Sequence, residues 1–265
     1  MLKLNPLNHP VCLETPYRLT SASAWHEHIP FAMWLIDVLR PKIIVELGTQ
    51  YGDSYCGFCQ TVKELHLDTL CYAVDTWHGD AHAGFYGPEV LRHLRAHHDP
   101  LYASFSRLIQ STFDKALSHF ADGTIDLLHI DGYHTYEVVK HDFESWLPKM
   151  SPSGIVLLHD ANVRERDLGV WKFYDEISLQ YPHFEFLHSQ GLGVVATGKV
   201  ISPELEQLFQ LSEADTQTVR LFFFNLGQRL STSTKIEHVH PGIIIRLINF
   251  CYRIVVRILL IGTHC

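Results

Sequence analysis

Apolar residues along this chain fall into short unbroken runs, separated by stretches with helical spacing. The runs KIIVELG, LCYAVDTW, FSRLIQST, TIDLLHIDG and SPSGIVLLHD have the length and density of strands buried on both faces. Between them, YEVVKHDFESWLPKM carries Val138, Phe143, Trp146 and Leu147 near one face, and VWKFYDEISLQY repeats a helical rhythm. Residues 23–40 also read as helical, with an interruption expected at Pro30. FEFLHS and GLGVVAT follow as two strands joined by a short Gln-Gly turn, which suits an antiparallel hairpin at a sheet edge. Strands alternating with helices predict an α/β fold, Rossmann-like and doubly wound. Its sheet is mostly parallel, with helices on both faces and an antiparallel edge strand.

Asp75, Asp131 and Asp160 each close one of the predicted strands, and a glycine turn closes another. Parallel sheets bind ligands outside the carboxyl ends of their strands. Three aspartates and a glycine turn on one rim therefore mark the expected site. Residues 76–100, after the second strand, read as a long loop with Trp77, His78, Asp80, His82, Phe85 and Tyr86 among glycines. Such a loop beside a site suits a lid or an acceptor-binding segment.

Composition narrows the function classes. The net charge of −8 gives no overall basic footprint for nucleic acid. The six cysteines show no framework spacing, which points to a reducing compartment and a cytoplasmic protein. Cys56 and Cys59 are spaced like a redox or zinc pair, but no second pair completes a zinc site. Nineteen histidines are an unusual number, and most read as surface or packed residues. His129 and His159 in particular are expected to point into the sheet's packing or at a neighbour.

The segment Glu46-Leu47-Gly48-Thr49-Gln50-Tyr51-Gly52-Asp53-Ser54 leaves a strand and enters a helix. Gly48 permits a tight turn and close approach of a ligand to the backbone, and the helix start offers free N–H groups. Gln50 stands where a dinucleotide turn has its middle glycine. The segment resembles the cofactor turn of class I S-adenosylmethionine-dependent methyltransferases. That resemblance implies S-adenosylmethionine as cofactor, contacted by Glu46, Gly48, Thr49, Gln50, Gly52 and Ser54. It also places Asp75 and Thr76 at the ribose, Ser111 near adenine and Asp131 beside the cofactor.

The stretch LLHIDGYHTYEVVKHDFESWLPKMSPSGIVLLHDANV resembles a subgroup that includes macrolide-sugar O-methyltransferases and cephalosporin-hydroxylase-like proteins. The likeness runs over roughly residues 43–195. It implies methyl transfer to a hydroxyl of a sugar, glycoside or small natural product, with His134 as general base. Asp131 and Asp160 would hold Mg²⁺. Ala161 occupies a position that is acidic or amide in metal-dependent relatives, and the amide arrives one residue later, at Asn162. Trp77, His82, Tyr86 and Tyr136 are the expected acceptor contacts. The same resemblance admits a non-catalytic or oxygenase-like relative acting in a glycan or natural-product assembly complex.

Residues 1–200 are thus expected to form the methyltransferase domain, with 1–22 as lead-in, and 201–265 a helical extension. Residues 201–230 read as one or two helices and 231–242 as a linker. Residues 242–261 are strongly apolar, yet Arg246, Arg253 and Arg257 share one helical face. An amphipathic helix of that kind suits peripheral membrane contact or a dimer interface.

Overall fold

The computed structural model describes residues 6–165 and 167–236. The amphipathic segment 242–261 lies outside the described residues. Five strands run parallel: β1 (Ile43–Leu47), β2 (Leu70–Asp75), β5 (Ser106–Gln110), β6 (Ile125–Ile130) and β7 (Met150–His159). They join β8 (His183–Phe186) and β9 (Leu192–Ala196) in one seven-stranded sheet of order β5-β2-β1-β6-β7-β9-β8. All pairings are parallel except those of β9, which runs antiparallel to both β7 and β8. The chain order reverses direction between β1 and β6, so the crevice of the fold opens there.

Strand parity sorts the core into two layers. Ile44, Leu127, Ile155 and Leu157 face one apolar cluster, and Val45, Leu128, Val156 and Leu158 face the other. The first cluster is covered by α1 (Ile29–Leu39), α2 (Asp53–Glu64), α3 (Glu89–Tyr102), α7 (Pro203–Phe209) and α8 (Glu213–Ile236). The second is covered by the single-turn α4 (Phe113–Ala116), α5 (Tyr136–Trp146) and α6 (Val170–Ser178). Glu46, His129 and His159 fall on the first layer's parity, which puts three polar side chains under that helical cover.

Several boundaries differ from the sequence reading. Pro30 does not break a helix: residues 23–28 form a 3-10 turn, and Pro30 occupies the first turn of α1, where its missing N–H costs nothing. On α5 the buried apolar residues are Val139, Phe143 and Trp146, with Asp142 buried among them, while Val138 sits half-buried at the margin. The expected loop 76–100 is irregular only in its first half. Val90, Leu94, His98 and Tyr102 recur at four-residue spacing and bury one face of α3. The first half holds a small hairpin, β3 (Gly79–Asp80) with β4 (Gly84–Phe85). Residues 201–230 form two helices, with the Ser202 side chain capping α7 by accepting the Leu205 N–H. Helix α8 then runs on through Ile236, into the segment read as a linker. Phe223 of α8 is fully buried against Phe31, Trp34 and Phe186, and Gly227 lets the helix lie directly on the backbone of Glu27.

Candidate active site

The glycine turn is built by three requirements that meet at one point. Gly48 has φ +87°, and a Cβ there would lie 2.1 Å from the Asp131 carbonyl oxygen. Only glycine lets β1 leave the sheet this close to the end of β6. Asp75 then fixes the turn from the neighbouring strand. Its Oδ2 accepts the N–H groups of Thr49 and Gln50 at 2.9 and 2.8 Å, and its Oδ1 accepts the Trp77 N–H at 2.7 Å. The Trp77 indole N–H donates in turn to the Gln50 carbonyl at 3.0 Å. Trp77 is buried and buttresses the turn, so it is not the exposed acceptor contact its loop position suggests.

Glu46 also departs from the expected role. It is fully buried, and its Oε2 accepts from the Ser54 hydroxyl at 2.7 Å and pairs with His129 Nδ1 at 2.8 Å. The far side of that imidazole, Nε2, accepts the Trp25 indole N–H at 3.2 Å. Glu46 lies beneath the cavity, because strand parity turns it under the helical layer. Gly52 likewise faces Leu94 of α3 rather than the cavity.

The cavity has a volume of about 350 Å³. It joins the turn residues Gly48, Thr49, Gln50 and Ser54 to Asp75 and Thr76 on one side, and to Asp131 and His134 on the other. Tyr86 lines it from the hairpin. Ser111 does not line it. Its N–H donates to the Asp75 carbonyl, and Phe113, two residues on, supplies the wall instead. Asp80, named in the loop after β2, lines it too, and further wall comes from residues the sequence reading did not single out, among them Ala22 to Trp25, Asp53 and Tyr133. Tyr133 stood inside the quoted signature and was legible there. Trp25 arrives from the 3-10 turn of residues 23–28, and no local pattern announces that it meets His129 of β6.

At the deep end four titratable groups converge. His134 Nε2 lies 3.2 Å from Asp131 Oδ1 and 3.0 Å from Asp160 Oδ2. His159 Nδ1 lies 3.2 and 3.3 Å from the same two oxygens. Burial alone would raise both carboxyls, but the two imidazoles beside them hold Asp131 and Asp160 well below the usual carboxylate range. Burial would lower His134, yet its hydrogen bonds to Asp131 and Asp160 outweigh this and push it up to about 10. The charges of the same carboxylates raise His159 against its burial. The two carboxylates thus favour the protonated form of both imidazoles in the free protein. Asp160 itself sits in the left-handed region, with φ +61°, a conformation that the surroundings must enforce.

Asn162, the expected third metal ligand, is drawn away: its amide donates to the Leu187 carbonyl at 3.0 Å and its backbone N–H to Gln190. The group that completes a set of three with Asp131 and Asp160 is His134, and these ligand atoms all lie within 4.8 Å of one another. Tyr136 points outward, donating to Glu176 at 2.6 Å, and does not line the cavity. His82 lies over the site without lining the cavity. It stacks on Tyr133 at 4.1 Å between ring centres and pairs with Asp167 at 3.1 Å.

A sheet of this order, with a glycine turn after its first strand and an acidic residue closing the second, is the class I methyltransferase fold. Residues 45–161 match the family model described as a methyltransferase domain. The chain is 48% identical over 211 residues to the uncharacterized protein y4gI of Sinorhizobium fredii. That match covers 80% of this chain and 23% of the relative, so the chain spans about a quarter of the curated protein it matches. A candidate caffeoyl-CoA O-methyltransferase from Staphylococcus aureus superposes with TM-score 0.51 at 17% identity, covering 64% of this chain and 82% of that one. A cofactor-bound protein from MTB superposes with TM-score 0.50 at 13% identity, covering 72% and 87%. These superpositions show a shared fold. Among the described residues no helix is long and apolar enough to cross a membrane.

Proposed function

We propose that this domain binds S-adenosylmethionine along the Gly48–Gln50 turn and Asp75, and transfers its methyl group to a hydroxyl of a neutral, polyhydroxylated acceptor such as a sugar, glycoside or small natural product. The observation that carries the reading is the single cavity running from that turn to Asp131 and His134. Its size suits a cofactor with part of an acceptor.

The charge of the wall supports both partners. Among the described lining residues are four carboxylates, Asp53, Asp75, Asp80 and Asp131, and no lysine or arginine. Such a wall favours the cationic sulfonium of the cofactor and repels a phosphorylated or coenzyme A-linked acceptor. In the transfer the acceptor oxygen forms a bond to the methyl carbon as the sulfur–carbon bond breaks in line, so catalysis is largely positioning.

The hydroxyl proton must go to a group at the deep end, and His134 is the base we assign. In the free protein it already holds a proton between two carboxylates. It becomes competent once those pairs are broken and the proton is released. Asp131 and Asp160 fit a divalent ion by donor type, and such an ion, Mg²⁺ or another, would acidify a bound hydroxyl.

Titration calorimetry with S-adenosylmethionine tests the cofactor step, and no binding removes the whole reading. Transfer of a labelled methyl group to a panel of neutral glycosides and coenzyme A thioesters tests the acceptor. Product on the glycosides is expected; product on the thioesters alone refutes the acceptor class. Unchanged turnover in His134→Ala refutes the base.

A further inference from the structure

Asp75 is nearly out of acceptor capacity. A carboxylate offers about four acceptor sites. Asp75 gives three of them to the protein's own backbone, at Thr49, Gln50 and Trp77. One site remains, on a residue that is only 8% exposed. The vicinal hydroxyls of a ribose bring two donors to the same place. One of them needs a second acceptor in the wall.

Asp80 has the oxygen to spare. Gly79 draws the β3–β4 hairpin tight: its φ is +71°, and a Cβ there would lie 2.0 Å from the Gly84 carbonyl oxygen. Asp80 closes the turn with one oxygen alone, since Oδ1 accepts both the His82 and the Ala83 N–H groups, at 2.7 and 2.8 Å. Among the described residues its Oδ2 has no hydrogen-bond partner. Asp80 is half-buried and lines the same cavity as Asp75. Of the other carboxylates in that wall, Asp53 accepts from the Thr20 N–H and hydroxyl, and Asp131 faces His134 and His159. Tyr86 ties the two sides together. Burial, and after it the charges of Asp75 and Asp80, raise its phenol, so both carboxylates act on one region of the wall.

We infer that Asp80 is a cofactor-binding residue whose Oδ2 accepts one of the two vicinal ribose hydroxyls, while Asp75 accepts the other. The inference rests on the reading of this cavity as the S-adenosylmethionine site. It assigns the hairpin to the nucleoside end of the cofactor and leaves the deep end, at Asp131 and His134, to the acceptor. A hydroxyl held by an ionised carboxylate makes a charge-assisted bond. The pair of aspartates therefore selects for a ribose against a sugar lacking either hydroxyl.

Calorimetry on the full chain tests this with S-adenosylhomocysteine and two analogues, each lacking one ribose hydroxyl. The unaltered chain is expected to bind each analogue about tenfold or more weakly than the parent ligand. Asp80→Asn keeps a carbonyl oxygen for the hairpin N–H groups and puts an amide donor in place of Oδ2. It is expected to weaken the parent ligand about tenfold. It is also expected to shrink the penalty for one missing hydroxyl to within about threefold and to leave the other penalty in place. A hairpin that needs Asp80 only for its shape would weaken all three ligands alike with both penalties intact, and that result overturns the inference. So does parent binding in Asp80→Asn within about twofold of the unaltered chain. Asp80→Ser, whose hydroxyl still closes the turn, gives the same readout should the amide variant not fold. No binding by the unaltered chain removes the proposed function and this inference together, whereas binding with unchanged penalties removes the inference alone.

Discussion

The two halves of the site use the same kind of residue for opposite purposes. In the β1–β2 half, acidic side chains are consumed internally: Glu46 is tied to Ser54 and His129, and Asp75 holds three backbone N–H groups of the turn and its flank. In the β6–β7 half, Asp131 and Asp160 face the imidazoles of His134 and His159 across a cluster that opens on the cavity. An acidic residue at a strand end is therefore not one signal. What it does depends on whether backbone donors or titratable side chains sit across from it. The first half shapes a surface, and the second stores charge and protons.

The comparison is broken most severely at the seam between the halves. Gly48→Ala places a methyl group where the Asp131 carbonyl stands. Calorimetry is expected to show loss of cofactor binding by at least about 100-fold, or the variant not to fold. Normal binding by this variant would mean the two strands are not held as close as described.

Asp160→Asn should spare the turn and damage the chemistry. A fall of about 10²–10³ in kcat is expected, with cofactor affinity within about threefold. A cofactor Kd that rises by the same factor as kcat falls would erase the distinction between the halves. Asp75→Ala should do the reverse. Releasing the Thr49 and Gln50 N–H groups is expected to cost about 2–3 kcal/mol of cofactor binding, read as Kd.

The smallest effect sharpens the charge side. Asp142 on α5 is buried with an unpartnered oxygen, and burial pushes its carboxyl up to about 7. The folded state thus binds a proton that the unfolded chain has released above its ordinary value of 3.8. Its contribution to stability is full below that value and is lost as pH rises to about 7. Asp142→Asn should flatten this decline, with a gain on the order of 2 kcal/mol at pH 8 by urea denaturation. A wild-type stability that rises from pH 4 to pH 7 in parallel with the variant refutes the assignment.

Much of the framework was legible. The unbroken apolar runs located the strands of the sheet, and alternation with helices set their parallel sense. Gly48 was legible because a tight turn calls for glycine, and Asp75 because it closes a strand where the resemblance implies the ribose contact. The loop 76–100 was misread because glycine and histidine masked the Val90, Leu94, His98, Tyr102 stripe, whose burial depends on α2 and β5 being present. Trp77 was placed at the acceptor because aromatic residues in a loop look available, and only its bond to Gln50 shows otherwise.

By itself the sequence determined the fold class, the rim on which the site lies and the residues that close each strand, since periodicity and turn chemistry are local. The tertiary structure alone decided which of those residues meet. Parity buried Glu46 and His129, the 3-10 turn before α1 supplied Trp25, and the loop after β7 turned Asn162 away while His134 swung between Asp131 and Asp160. Those outcomes depend on contacts across tens of residues. Burial and charge there reverse what each side chain would do alone in water.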